Sequence, residues 1–181
     1  MRFIETALEG VILIEPNVFK DSRGFFLETY QQARYAENGV APAFVQDNHS
    51  RSERGVVRGL HYQLRHPQAK LVYAVRGTIF DVAVDIRKGS KTFGQWTGHI
   101  LSDENRRQLY IPEGFAHGFS VLSQTVDVTY KCSDVYTPGD EYGILFNDPG
   151  LNIDWQVEAP ISSDKDKLYP LLNQVARELL P

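Results

Sequence analysis

Residues 56–64 read VVRGLHYQL, a strand-like run of β-branched and apolar residues with an arginine, a glycine and a histidine in its middle. An imidazole ordinarily titrates near pH ~6.5, and one held against a reacting group contributes roughly 10² to 10⁴-fold to a rate as a general base. Strict alternation puts Val57, Gly59, His61 and Gln63 on one face and Val56, Arg58, Leu60, Tyr62 and Leu64 on the other. Arg58 and His61 then point apart unless a bulge at Gly59 re-aims them, and glycine bulges are common beside active sites. Residue type alone favours a plainer reading, a hydrogen-bonded structural histidine and a surface arginine.

Other chemistries find less support in the spacing. Zinc or iron needs three or four convergent His, Cys or carboxylate ligands. The five histidines, His49, His61, His66, His99 and His117, form no H-x-H or H-x-x-x-H pair, so no metal is expected. The single cysteine, Cys132, excludes an intrachain disulfide, cannot make a thiolate cluster alone, and reads as a small core residue. Neither a GxxxxGK[ST] loop nor a GxGxxG turn is present to cradle phosphates.

The elements that must position these groups read as strands. Turn signals recur at KDSRG, ENGVAP, RGT, RKGSKTFG, SDEN, PEG, TPGDEYG and NDPG, separating short segments rich in Val, Ile, Phe and Tyr. That rhythm predicts an all-β sandwich or barrel. In TIFDVAVDI, residues Phe80, Val82, Val84 and Ile86 form a core face with Asp81 and Asp85 opposite. In TVDVTYKC, Val126, Val128 and Tyr130 share one face while Asp127, Thr129 and Lys131 share the other. A short helix is expected between Thr29 and Asn38, stopped by Gly39, and a second from about Pro170, where Leu171, Leu172, Val175 and Leu179 recur at helical spacing.

With 181 residues the chain is expected to form one domain, 1–181, and no repeat or linker divides it. Its net charge of −4 offers no basic stripe to a nucleic-acid backbone, so no nucleic acid is expected as a partner. Glu5 and Glu9 interrupt the N-terminal apolar residues and no run approaches membrane-spanning length, which predicts a soluble, cytoplasmic protein with no membrane partner.

Seven segments in order, DSRGFFLETY, FVQDNHS, VVRGLHYQ, QAKLVYAVRGTIFDVAVDIRKGSKTFG, YIPEGFAHGF, YKCSDVYTPGDEYGI and ISSDKD, give the chain a resemblance to the dTDP-4-dehydrorhamnose 3,5-epimerase family from residue 1 to about 172. The resemblance implies an all-β, cupin-type jelly-roll barrel with short peripheral helices, working without metal or other cofactor and pairing as a homodimer. It further implies that His61 is the general base, Asp166 the carboxylate that orients it, and Tyr130 the proton donor on the other side of the sugar. Tyr136 resembles the ring that stacks on the thymine, and Arg58 and Lys70 resemble the cations near the keto oxygen, with His117 beside them. Arg23, Glu28, Gln46, Asn48, Glu141 and Lys165 match positions that contact the nucleotide sugar in relatives.

The residues also carry plainer readings. Asp166 could end a capping box begun by Ser163, although Pro170 would then sit inside a helix, so a loop is the better expectation. Tyr130 could be a core aromatic, Tyr136 part of a loop, and Lys70 and Arg23 solvated charges.

The implied reaction suits the residue types. Inverting a carbon beside a ketone means removing a weakly acidic C–H proton, holding an enolate, and returning a proton to the opposite face. Two proton carriers must flank the ring. A carboxylate behind the histidine selects its tautomer and stabilises the imidazolium, and cations act where the oxyanion develops. The expected activity is conversion of dTDP-4-dehydro-6-deoxy-D-glucose to dTDP-4-dehydro-L-rhamnose by inversion at C3 and C5, in dTDP-L-rhamnose biosynthesis. A single-carbon epimerase of another dTDP-deoxysugar pathway, or a cupin-type binding module that only holds a dTDP-4-keto-6-deoxyhexose, is the alternative.

Overall fold

The structure is a computed structural model that describes every residue except 41 and 42, so the end of the ENGVAP turn lies outside the described residues. Six strands form one antiparallel sheet in the order β1 (Arg2–Glu5), β2 (Ile12–Glu15), β10 (Gln108–Ile111), β7 (Lys70–Arg76), β12 (Thr125–Cys132) and β5 (Gln46–Glu53). Five form the other in the order β13 (Glu141–Gly143), β6 (Val57–Gln63), β11 (Phe115–Val121), β8 (Thr78–Asp85) and β9 (Trp96–Ser102). A separate hairpin pairs β3 (Val18–Asp21) with β4 (Gly24–Leu27). The two large sheets make the expected cupin-type jelly roll, the double-sheet solution to exposed strand edges.

Alternation along the strands fills the space between the sheets. Val72 and Ala74 of β7, Val126 and Val128 of β12, Ile79 and Ala83 of β8, and Phe115, Phe119 and Val121 of β11 share one buried cluster, with Tyr130 packed against it. Each fully buried Val, Ile or Phe side chain of this cluster stabilises the fold by about 1.5–3 kcal/mol. Val126, Val128 and Tyr130 thus keep the common face that their spacing predicts. The Phe80, Val82 and Val84 face of β8, continued by Ile86 just beyond it, is core as expected, in a second cluster with Trp155 and Leu172. The opposite face is buried too: Asp81 and Asp85 are 0% exposed. The C-terminal segment covers one face of β8 and the barrel interior encloses the other, an arrangement that alternation along a single strand cannot reveal.

The helix expected before Gly39 is α1 (Gln32–Ala36). It places Tyr35 in a third cluster with Ile12, Ile14 and Tyr110, on the outer side of the six-stranded sheet. The second expected helix, from about Pro170, is not an α-helix. Leu172–Gln174 and Arg177–Leu179 are single 3-10 turns. Tertiary hydrogen bonds hold this segment instead: the Leu172 N–H donates to Asp148 Oδ2 at 2.7 Å, Tyr62 Oη donates to the Leu179 carbonyl at 2.8 Å, and the Lys88 N–H donates to the Pro181 carbonyl at 2.8 Å. Of the four residues expected to share a helix face, Leu172 and Val175 pack in the second cluster, whereas Leu171 and Leu179 do not and Leu180 is buried there instead. No helix is long and apolar enough to cross a membrane among the described residues.

The bulge expected in β6 is present. His61 pairs with His117 and Arg58 with Phe119, so three steps on β6 match two on β11. Gly59 permits this with φ of +122°, and the backbones approach closely enough that a Cβ on Gly59 would lie 2.6 Å from the Gly118 Cα. Val57, Leu60 and Tyr62 consequently share the outer cluster. The alternation is shifted by one between Val57 and Leu60, which turns His61 inward on the side that Arg58 occupies.

Candidate active site

One end of the barrel interior is polar. Along β12 the inward residues run from Val126 and Val128 to Tyr130 and Cys132, and Tyr130 and Cys132 pair across the sheet with Asn48 and Gln46 of β5. β7 changes in the same way, from Ala74 and Val72 to Lys70, which pairs with Cys132. A cavity of about 330 Å³ opens here, lined by Gln46, Asn48, His61, Tyr62, Gln63, Gln68, Lys70, Tyr130, Tyr136 and Glu141.

His61 is oriented from behind. Its Nε2 lies 2.7 Å from Asp166 Oδ1, and its side chain is 30% exposed against 6% for Asp166. Asp166 starts a 3-10 turn, Asp166–Leu168, whose first N–H donates to Ser163 Oγ at 3.1 Å. No capping box closes here, because the Asp166 carboxylate turns to His61 and the Gly59 N–H rather than back to the Ser163 N–H, and the turn ends before Pro170. Burial works to raise the Asp166 pKa. The His61 hydrogen bond and charge, the Gly59 N–H and the Ser163 contact outweigh it and hold the carboxyl below its ordinary value. An ionised Asp166 can only accept, so the shared proton sits on Nε2 and Nδ1 keeps the free lone pair of a base.

Across the cavity, burial raises the Tyr130 pKa, with Cys132 and Glu141 adding to the effect and Arg58 opposing it. Tyr130 keeps its proton at neutral pH and is equipped to donate it. Burial lowers the Lys70 pKa, while Cys132, Asp81 and Glu141 act in the other direction. At the rim, the Tyr136 N–H donates to Gln46 Oε1 at 2.9 Å, and Gln46 Nε2 donates to Asn48 Oδ1 at 3.0 Å. This chain holds the half-exposed Tyr136 ring beside the opening. Glu141 accepts from Lys165 Nζ at 2.6 Å and from Tyr169 Oη at 3.2 Å.

A family model described as dTDP-4-dehydrorhamnose 3,5-epimerase matches residues 5–174. The chain belongs to this family. It is 56% identical over 169 residues to the dTDP-4-dehydrorhamnose 3,5-epimerase of Pseudomonas aeruginosa, covering 92% of this chain and 93% of the relative. A dTDP-4-dehydrorhamnose 3-epimerase of Streptomyces niveus is 44% identical over 185 residues, covering 100% of this chain and 89% of the relative. The crystal structure of a dTDP-6-deoxy-D-glucose-3,5-epimerase from Legionella pneumophila Philadelphia 1, in complex with dTDP-4-keto-L-rhamnose, superposes with a TM-score of 0.97 at 53% identity, covering 99% of this chain and 97% of that one.

Of the residues singled out by sequence, His61, Asp166, Tyr130, Lys70, Gln46, Asn48, Tyr136, Glu141 and Lys165 line this one opening or bond to residues that do. Arg58 stands beside it without lining it: its Nε donates to Ser52 Oγ at 3.0 Å, and its charge acts on Tyr130. His117 lies behind the wall, 7% exposed, with Nε2 2.8 Å from Asp81 Oδ1. Arg23 and Glu28 are not brought to the cavity of their own chain. Arg23 pairs with Asp21 at the hairpin tip, and Glu28 with Arg34. Sequence reasoning missed Gln63, Gln68, Asp81 and Tyr169. Gln63 had a signal, standing two residues beyond His61 on the same face, whereas Tyr169 could be found only from the path of the C-terminal segment.

Proposed function

We propose that this chain is a nucleotide-sugar epimerase that inverts C3 and C5 of dTDP-4-dehydro-6-deoxy-D-glucose to give dTDP-4-dehydro-L-rhamnose. The observation that carries this reading is the His61–Asp166 pair and Tyr130 on one cavity, a base and an acid with space between them. His61 removes the proton from a carbon beside the 4-keto group, and the C–H electrons move onto the keto oxygen. Lys70, with Arg58 beside Tyr130, offsets the negative charge that forms there. Tyr130 gives its hydroxyl proton to the other face, the imidazolium releases its proton to water, and the tyrosinate recovers one. The cycle runs once at each carbon and leaves the oxidation state unchanged, so no redox cofactor takes part. Tyr136 stacks on the thymine at the rim, and Gln46, Asn48, Glu141 and Lys165 hold the nucleotide sugar.

The chain acts as a single domain and as a homodimer. Phe19, Phe25 and Phe26 are 62%, 50% and 69% exposed on the β3–β4 hairpin, an apolar surface that suits burial against a second copy. Arg23 and Glu28 reach substrate from that copy. Sedimentation at micromolar concentration is expected to give twice the chain mass, and a monomer with full activity would overturn this assignment. A cytoplasmic location suits the free, buried thiol of Cys132.

Incubation with the 4-keto sugar in D₂O tests the mechanism, with deuterium located by NMR. Two labelled carbons mark a 3,5-epimerase and one marks a single-carbon enzyme. Tyr130→Phe removes the acid and keeps the ring, so it is expected to continue solvent exchange through His61 while releasing little inverted sugar. Inversion by Tyr130→Phe at the parent rate would place the acid elsewhere.

A further inference from the structure

A hydrogen bond from Nε2 to one carboxylate oxygen fixes the end of the His61 side chain but leaves the imidazole free to tilt about that contact. A second element restrains it. On the side away from His117, the cross-strand partner of His61 is Gly143 of β13, which has no side chain. The space is filled by Tyr169, whose ring stands edge-on to the imidazole with centroids 5.8 Å apart and planes at 69°. A Cβ on Gly143 would lie 2.4 Å from the Tyr169 ring, so this seat exists only because the residue is glycine.

The same short turn delivers both contacts. Asp166 and Tyr169 are three residues apart across the 3-10 turn Asp166–Leu168, the spacing at which side chains of a 3-10 helix eclipse. Pro170 follows, and Tyr169 is extended with φ −67° and ψ 147°, the conformation a residue before proline favours. At its other end the Tyr169 hydroxyl donates to Glu141 Oε1 at 3.2 Å, and the Lys165 ammonium sits 6.0 Å from the ring centroid while pairing with the same Glu141 oxygen. Burial, followed by the Glu141 charge, pushes the Tyr169 pKa up to about 12, so the hydroxyl remains a donor throughout the neutral range.

We propose that Tyr169, seated on Gly143 and tethered by Glu141 and Lys165, is a positioning residue that holds the His61 imidazole at the angle required for proton abstraction. This inference rests on the assignment of His61 as the base. Glu141 and Lys165 then have a task besides contact with substrate, because they anchor the ring that aligns the base.

Tyr169→Leu, which fills space without a flat ring, is expected to lower the solvent-exchange rate at saturating substrate roughly 10- to 100-fold, the range for a misaligned reacting group, with dTDP affinity unchanged. Tyr169→Phe keeps the ring on its Gly143 seat beside Lys165 but loses the Glu141 hydrogen bond, so it is expected to recover part of that rate, below the parent and well above the Leu variant. Gly143→Ala, which evicts the ring from its seat, is expected to reproduce the Leu variant. The imidazole ¹⁵N signals of His61 are expected to broaden or shift in the Leu and Ala variants and to stay in place in Phe. Equal losses in Phe and Leu would assign the effect to the hydroxyl and overturn the role of the ring, as would a Leu variant whose rate loss tracks a matching loss of dTDP affinity. His61→Asn separates the two levels. Exchange that survives in it overturns the base assignment and this inference with it, whereas exchange abolished in it but intact in Tyr169→Leu overturns the positioning role alone.

Discussion

Two of the histidine–aspartate pairs, His61–Asp166 at 2.7 Å and His117–Asp81 at 2.8 Å, have nearly identical geometry and stand on histidines that face each other across β6 and β11. Their surroundings differ. The His61 side chain is 30% exposed and opens onto the cavity, and its carboxylate comes from a turn outside the sheets that also supplies Tyr169. His117 is 8% exposed at its side chain, and its carboxylate stands inside β8 at 0%, with Oδ2 lacking a hydrogen-bond partner among the described residues. Burial lowers the His117 pKa despite the Asp81 charge that opposes it, and Lys70 and His61 push the same way as burial. The comparison teaches that a His–Asp pair is not in itself a base. It can reach a reactant only where one side of the ring is open, as at His61, and where both sides are closed, as at His117, it packs behind the cavity wall.

The largest contrast is expected in activity. His61→Ala should reduce solvent exchange at both C3 and C5 by roughly 10² to 10⁴-fold while dTDP still binds, measured by NMR and calorimetry. Retained exchange would remove the functional half of the comparison. The next largest is expected in stability. His117→Ala leaves the Asp81 carboxylate buried without its partner, which costs about 3–5 kcal/mol in urea unfolding, well above the cost of His61→Ala. Equal losses from the two substitutions would show that exposure does not separate the pairs.

A smaller effect separates them by pH. The folded-state pKa of His117 lies below the ordinary 6.5, so below that pH the unfolded chain binds the extra proton and unfolding becomes easier. This contribution to stability is present above pH 6.5 and is lost as pH falls, by at most about 1.4 kcal/mol per pH unit. The Asp166 contribution has the same sign but is lost lower, as pH falls through and below its ordinary 3.8. Denaturant unfolding of His117→Gln from pH 7 to 5 is expected to show a flatter profile than the parent, and an unchanged slope would assign the acid sensitivity to another group. The smallest expected effect is Ser163→Ala, which removes the acceptor for the Asp166 N–H and costs about 1 kcal/mol. It should slow exchange through His61 while leaving the His117 imidazole signals in place.

How much of this was legible in the sequence differs by element. The faces of β12 and the irregularity of β6 could be read directly, because alternation and a glycine beside an inward-turning histidine are local properties of the chain. The buried second face of β8 could not, since Asp81 and Asp85 look solvent-facing until the barrel closes over one and the loop at 87–92 over the other. There Asp85 accepts from the Arg87 side chain and from the Ser90 and Thr92 hydroxyls. The C-terminal apolar spacing held for Leu172 and Val175 but not for Leu171 and Leu179, because side-chain and backbone hydrogen bonds to distant residues, Tyr62 and Asp148 among them, competed with the intrahelical ones and left only 3-10 turns. Within the site, the resemblance supplied the roles of Arg23 and Glu28, yet neither reaches the cavity of its own chain.

The sequence by itself determined where strands alternate and turn, which residues carry titratable groups, and the family to which seven ordered segments point. These follow from local sterics and side-chain chemistry, which travel with the residue. Only the tertiary structure decided that His61 meets a carboxylate 105 residues away, that His117 meets another 36 residues back, and that just one of these imidazoles faces open space. Exposure and hydrogen-bond partnership are set by which segments close over a strand face. No property of a single strand contains that information, because it arises when loops and the C-terminal segment choose their path across the finished barrel.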